Sequence, residues 1–276
     1  MGLGLIVNSN VAASNTSRVL RRSTLSLNKS LERLSSGLRI NRAADDAAGL
    51  AIAEGFNSQV RGFRVAQRNA QDGISLVQTT EGALSEISNM MQRIRELAVQ
   101  AANGTLSATN RSDLNTEAQE LVGSIGEILT RTDFNGINPF LANQVVIQTG
   151  ADATDTTTLT GAGVALTTTD LSVAAISLAG ATAAGASAAI TAVDAGLVTL
   201  NTRRANLGAA QNRLEFTINV LAIREENALA SESAIRDADI ARETTAFTRN
   251  QILVTAGTSI LAQANIVPQT ALQLLG

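Results

Sequence analysis

Val77-Gln-Thr-Thr-Glu-Gly-Ala-Leu84-Ser-Glu-Ile87-Ser-Asn-Met-Met91-Gln-Arg-Ile94-Arg-Glu-Leu-Ala98-Val-Gln-Ala101 carries two interleaved apolar series, each repeating every seventh residue. Val77, Leu84, Met91 and Ala98 form one, and Ile87, Ile94 and Ala101 form the other. Two such series line a single seam of a helix, so this stretch must bury one face against another helix. The pattern predicts that the helix ends at Asn103-Gly104. After a turn through Leu106 to Asn110, a shorter helix carries Leu114, Ala118, Leu121, Ile125 and Ile128 at spacings of four and three. A connection this short makes the two helices antiparallel neighbours.

The same period extends outward in both directions. Downstream, Val193, Leu200, Leu207, Leu214, Leu221, Ala228 and Ile235 recur every seventh residue, with Leu197 and Ile218 on the companion position, which predicts one helix over about 188–235. Upstream, Leu20, Thr24, Leu27, Leu31, Leu34 and Leu38 form a one-face stripe. That helix stops near Ser36-Gly37, where glycine takes the left-handed conformation, and Asp45 or Asp46 caps the next, so a bend falls at 37–46. A final stripe runs through Ile240, Phe247, Leu253, Ile260, Ala264 and Val267 to Pro268. Between the helical parts, residues 133–185 are rich in Thr, Gly, Ala and Val and hold no positive charge; Val145-Val146-Ile147 and the alternation from Thr157 to Val173 read as short strands in hairpins. The fold class is therefore mainly α: long antiparallel helices and coiled coil with a small β-hairpin region.

Composition agrees with long packed helices. Hydrophobic residues make up 45% of the 276 residues, yet there are only six Phe and no Trp or Tyr. The two prolines, Pro139 and Pro268, leave long stretches without a helix breaker. A net charge of -3 argues against nucleic acid. The ends differ: residues 1–42 hold seven basic side chains against Glu32, while residues 224–276 hold four Arg against six carboxylates, so the two ends can attract each other. No run approaches the ~20 apolar residues of a membrane span, and Leu3 to Val7 is too short for the apolar core of a secretory signal.

Without His or Cys, zinc sites, thiol nucleophiles and His-based triads have no donors, and no cofactor is implied. Asp45-Asp46 is the one adjacent carboxylate pair in the N-terminal half, but neighbouring residues diverge in direction and capping is the better reading. Gly161-Ala162-Gly163 is a turn, and Lys29 belongs to no phosphate loop. An assembly protein without catalytic, metal or cofactor residues is what remains.

Particular segments carry a resemblance. Glu32-Arg-Leu-Ser-Ser-Gly-Leu-Arg-Ile-Asn41 with Asp45-Asp-Ala-Ala-Gly49 resembles the N-terminal signature of bacterial flagellins, continued by Arg68-Asn-Ala-Gln-Asp-Gly-Ile-Ser75, Thr79-Thr-Glu-Gly-Ala-Leu84 and Arg93-Ile-Arg-Glu-Leu-Ala-Val-Gln100. Gln251-Ile-Leu253, Ala256-Gly-Thr-Ser-Ile-Leu-Ala-Gln-Ala-Asn265 and Pro268-Gln269 resemble the C-terminal one. Ala44 departs from the family's usual Lys, Gly2 to Gly4 lengthen the start, and Gly276 stands where Arg is common. The resemblance implies a secreted, extracellular filament subunit without large outer domains, delivered unfolded by the flagellar export apparatus with a flagellin chaperone, meeting filament cap and hook-filament junction proteins. It also implies three regions: 1–45 and 236–276 as the two halves of an inner coiled coil, and 46–235 as an outer helical domain whose hairpin insert covers about 133–185. Leu20, Leu27, Leu31, Leu34, Leu38, Phe247, Leu253, Ile260, Leu261 and Val267 are the expected inner-layer residues. A hook-filament junction protein and a secreted coiled-coil adhesin or signalling ligand are the alternatives.

Two surface expectations follow. Helix geometry puts Arg93, Leu97 and Gln100 on a face beside the Met91, Ile94, Ala98 and Ala101 seam, where an exposed Leu97 would meet a neighbouring subunit. In flagellins with this motif the same face, with Glu117 of the antiparallel helix, is read by Toll-like receptor 5. In the insert, Thr157, Thr158, Thr160, Thr167, Thr168 and Thr169 are candidate O-glycosylation positions.

Overall fold

The computed structural model describes residues 9–141, 144–160, 166–179 and 184–273. Its elements are helices α1 (Val11–Ser36), α2 (Ala47–Ala101) and α3 (Ala108–Arg131), strands β1 (Gln144–Gln148) and β2 (Thr156–Thr160), and helices α4 (Ala184–Arg236) and α5 (Ile240–Gln273). Two compact units result, Met1–Ser58 with Asn227–Gly276, and Gln59–Glu226, so the division falls inside α2 and α4. The resemblance implies a division at 45/46 and 235/236 instead, at the helix ends.

In the first unit α1 ends because Gly37 adopts φ 73° and its N–H donates to the Arg33 carbonyl at 2.8 Å. Asp46 is the residue that caps α2, its Oδ1 accepting from the Gly49 N–H at 2.9 Å. Asp45 organises the bend instead: its Oδ2 accepts from the N–H groups of Asn41 and Arg42, and its Oδ1 lies 2.8 Å from Lys29 Nζ on α1.

Helices α1 and α5 pack antiparallel. Arg33 meets Glu243 at 3.6 Å near one end, Leu20 lies against Gly257 in the middle, and Asn10 Nδ2 donates to the Ala264 carbonyl at 2.8 Å near the other end. The buried seam of α1 departs from the stripe read in the sequence at two positions, with Ser23 in place of Thr24 and Ser30 in place of Leu31. It runs through Leu20, Ser23, Leu27, Ser30 and Leu34, with Ser23 and Ser30 fully enclosed, while Leu31 is 55% exposed. Serine at these sites lets the helices approach more closely than leucine would. On α5 the half-buried positions are Glu243, Ala246, Phe247, Asn250, Val254, Gly257, Leu261 and Ala264; Leu253 and Ile260 are exposed.

Helix α5 continues through Pro268 to Gln273. Proline has no N–H, so the carbonyl four residues earlier, that of Ala264, loses its intrahelical donor. Asn10 supplies the replacement while its Oδ1 caps α1 by accepting from the Ala13 N–H at 2.9 Å.

In the second unit both heptad series of α2 are buried, together with Ala118, Ile125 and Leu129 of α3 and Val193, Leu200, Leu207 and Leu214 of α4. Strands β1 and β2 pair antiparallel with Val145 opposite Leu159 and Ile147 opposite Thr157. The hairpin lies along α2: Asn69 Nδ2 donates to the Gln148 carbonyl at 3.1 Å, and Ile147 occupies the space a side chain at Gly73 would need. Within the alternating stretch read as strands up to Val173, residues 166–173 form turns, and 161–165 lie outside the described residues. Asp170 accepts from the Thr167 N–H and hydroxyl at 2.9 and 2.7 Å, which closes a turn and lets Leu166, Leu171 and Val173 all point into the core. The Leu171 carbonyl comes so close to Gly196 of α4 that no side chain fits there.

Candidate functional site

Among the described residues there is no group of three or more carboxylates able to hold a metal ion. The displaced titrations all belong to surface ion pairs. Lys29, with the Asn41 and Arg42 N–H groups, holds the Asp45 carboxyl below its usual range; Glu117 and then Glu96 raise Arg93, and Asp194 raises Arg95. What the molecule offers is helix faces that its own chain leaves uncovered.

Uncovered apolar surface lies on the α1 and α5 pair. Val19, Leu25, Leu31, Ile252, Leu253, Ile260 and Ile266 are all exposed, and they lie on both helices. Of the expected inner-layer residues, Leu20, Leu27, Leu34, Leu38, Phe247 and Leu261 are half-buried within the chain, and Leu31, Leu253 and Ile260 are exposed. The Val267 side chain lies outside the described residues. Two helices that bury little more than a narrow seam leave too much apolar area in water for an isolated pair.

On α2 the expectation for Leu97 is overturned, for it is only 1% exposed and belongs to the core. The reason is the width of the buried arc. At about 100° per residue, Leu97, Ile94, Ala101, Ile87, Ala98, Met91 and Leu84 fill an arc of roughly 140°, wider than one coiled-coil seam. Arg93 and Arg95 stand at its two edges. Arg93 bonds to Glu117 of α3, with Nη2 at 2.8 Å, and Arg95 Nε lies 2.6 Å from Asp194 of α4. Helix α2 is thus covered from two sides, and Leu97 falls inside the edge marked by Arg93. Arg93, Gln100 and Glu117 remain accessible.

The threonines divide as well. Thr157 is 3% exposed, because it points inward from β2 and shares a hydrogen bond of 3.1 Å with the Thr149 hydroxyl, so it is no site for a glycan. Thr158 and Thr168 are half-buried, Thr167 and Thr169 are exposed, and the Thr160 side chain lies outside the described residues.

Comparison with known proteins places the chain in a family. Residues 7–145 match the bacterial flagellin N-terminal helical region, and residues 190–275 match the bacterial flagellin C-terminal helical region. The chain belongs to the bacterial flagellin family. It is 45% identical over 273 residues to a flagellin of Halalkalibacterium halodurans, covering 98% of this chain and 100% of the relative. It is 41% identical over 286 residues to the flagellar filament 31.3 kDa core protein of Treponema maltophilum, with 98% and 100% covered. A putative flagellar hook-associated protein from Vibrio parahaemolyticus shares the fold, at a TM-score of 0.57 and 15% identity over 70% of this chain and 99% of that one. Full-length identity to flagellins decides against the junction-protein and adhesin alternatives. As a flagellin this is a structural subunit of the flagellar filament and not an enzyme, and relatives of matching length are flagellins of the same short form.

Three features of this flagellin escape the heptad reading. Ser23 and Ser30 look polar and are buried; Asn10 lies before the first stripe; and Phe216, Val220 and Ile223 are exposed on the far side of α4. The last had a legible signal, since their spacing of four and three makes a second stripe on the same helix.

Proposed function

We propose that the chain polymerises in two layers, with α1 and α5 forming an inner tube and the second unit an outer one. The observation that carries this is the exposure of aliphatic side chains on several sides of α1 and α5. Ordering a helix costs about 1–2 kcal/mol per residue of backbone entropy, and for these two helices only neighbouring copies supply the compensating burial. The ends are disordered in the free monomer and fold on joining the filament. Delivery unfolded through the flagellar export apparatus, with a chaperone covering one end, and contacts with the cap and hook-filament junction proteins belong to the same reading. The test is seeded elongation followed by electron microscopy. Full-length protein extends seeds into long filaments, whereas protein lacking residues 1–40 stays a soluble helical monomer; filaments from the truncated chain would remove the two-layer reading.

A second reading is recognition of the free subunit by Toll-like receptor 5 through Arg93, Gln100 and Glu117. It is supported by their exposure and by the Arg93–Glu117 pair, which presents both side chains on one surface between α2 and α3. Leu97 has no part in it. O-glycans, where present, belong on the exposed Thr167 and Thr169, the former only if its hydroxyl gives up Asp170.

A further inference from the structure

Phe216, Val220 and Ile223 of α4 are exposed at 72%, 48% and 59% on a single side of the helix. Arg213 and Arg224 bracket them on that side, both exposed, and among the described residues neither has a carboxylate in ion-pair range. Beside the stripe, a groove of about 720 Å³ runs between α4 and the hairpin, walled there by Thr154 and Asp155 of its loop and Thr157 of β2. An aromatic with aliphatic neighbours between two guanidinium groups has the make-up of a protein contact: a desolvated centre and a charged rim. Two cations beside Glu215, Glu225 and Glu226 are too few for a nucleic acid.

We infer that this stripe is a subunit contact whose occupant is the acidic outer face of α3 from a second copy, an inference that rests on the polymerisation reading above. The stripe is a poor partner for itself, because a two-fold antiparallel contact centred on it sets Arg213 against Arg224 of the second copy. The contact is therefore between unlike surfaces, the kind that propagates instead of closing as a dimer. On α3, Asp113, Glu117, Glu120, Ser124 and Glu127 follow at spacings of four and three, and all are exposed. Within the subunit Glu117 pairs with Arg93, and Glu127 makes a loose 3.6 Å contact with Arg131 of its own helix. Alongside this face, about 40° beyond its Glu127 edge by the 100° step of a helix, Gly123 leaves open space, with nothing within 4 Å of where a Cβ would stand. With the two helices antiparallel and Phe216 over Gly123, Arg213 comes opposite Glu127 and Arg224 opposite Asp113, each to within a turn. The spans differ by less than a turn: at 1.5 Å per residue the two Arg lie about 16 Å apart along α4, and Asp113 and Glu127 about 21 Å apart along α3.

Charge reversal on full-length protein tests the inference. Arg213→Glu with Arg224→Glu, and separately Asp113→Arg with Glu127→Arg, should each slow elongation from parental seeds about tenfold or more, with helix content and melting temperature unchanged. The chain carrying all four changes should elongate its own seeds at close to the parental rate. Parental elongation by the Arg213→Glu, Arg224→Glu protein overturns the contact. Failure of the fourfold variant, with both double variants blocked but folded, overturns the pairing with α3. Failure of the parent to polymerise at all is a separate result and rejects the polymerisation reading itself.

Discussion

The Asn10 amide uses its oxygen to cap α1 and its nitrogen to serve the Ala264 carbonyl that Pro268 leaves without a donor. Asn10→Asp keeps the cap and loses the donor, so it separates the two roles. Each should cost about 1 kcal/mol, seen as a lower melting temperature of the filament. Pro268→Ala returns an N–H to the helix and makes the Asn10 donor redundant; in that background Asn10→Asp should be nearly neutral. Equal losses in both backgrounds would show that Asn10 does not answer for Pro268. Leu97 gives a second residue-scale prediction. Because it is enclosed by the core between α2 and α3, Leu97→Asp buries a carboxylate without a partner and should destabilise the second unit by about 3–5 kcal/mol. Thermal melting measured by circular dichroism checks this, and a parental melting temperature would return Leu97 to the surface.

At the scale of elements, the long helices were legible because a seven-residue repeat survives any choice of partner. The α4 series from Val193 to Ala228 is buried at every step. What was not legible depends on how many neighbours an element has. A single repeat identifies a seam, but α2 is covered on two sides and so buries Leu97; α1 closes on small serines, where hydropathy points to Leu31. The turn at 166–173 was hidden because its alternation matches a strand while Asp170 closes it locally. The bend between α1 and α2 carries a pH prediction. Lys29 foremost, with two backbone N–H groups, holds the Asp45 carboxyl below its ordinary value. A depressed folded value means the stabilisation is complete above the unfolded value of about 4 and is lost as pH falls through the lower folded one. Filaments should therefore loosen below about pH 4, and Asp45→Asn should flatten that part of the acid-melting profile. An unchanged profile would place the acid sensitivity elsewhere.

For the whole molecule, the sequence carried the family, but the exposed surfaces only in part. Arg93, Gln100 and Glu117 were named for the right exposure, and the α4 stripe was passed over because its Phe216 lies outside the core repeat. The receptor reading predicts that depolymerised protein activates Toll-like receptor 5 in reporter cells and intact filament does so weakly. Equal activity of the two forms at equal mass would mean the Arg93 face is not covered in the polymer. The bond from Asn10 to Ala264 also sets an order of events. Its partners are 254 residues apart in the chain, while helices α2 and α3 meet across a short turn and can pair as soon as both exist. A chain that emerges lengthwise from a pore can therefore build its middle early, but α1 must wait for the arrival of α5. On the export reading, closure of the two ends reports that delivery is complete, and a subunit stalled part-way has no means of making that contact.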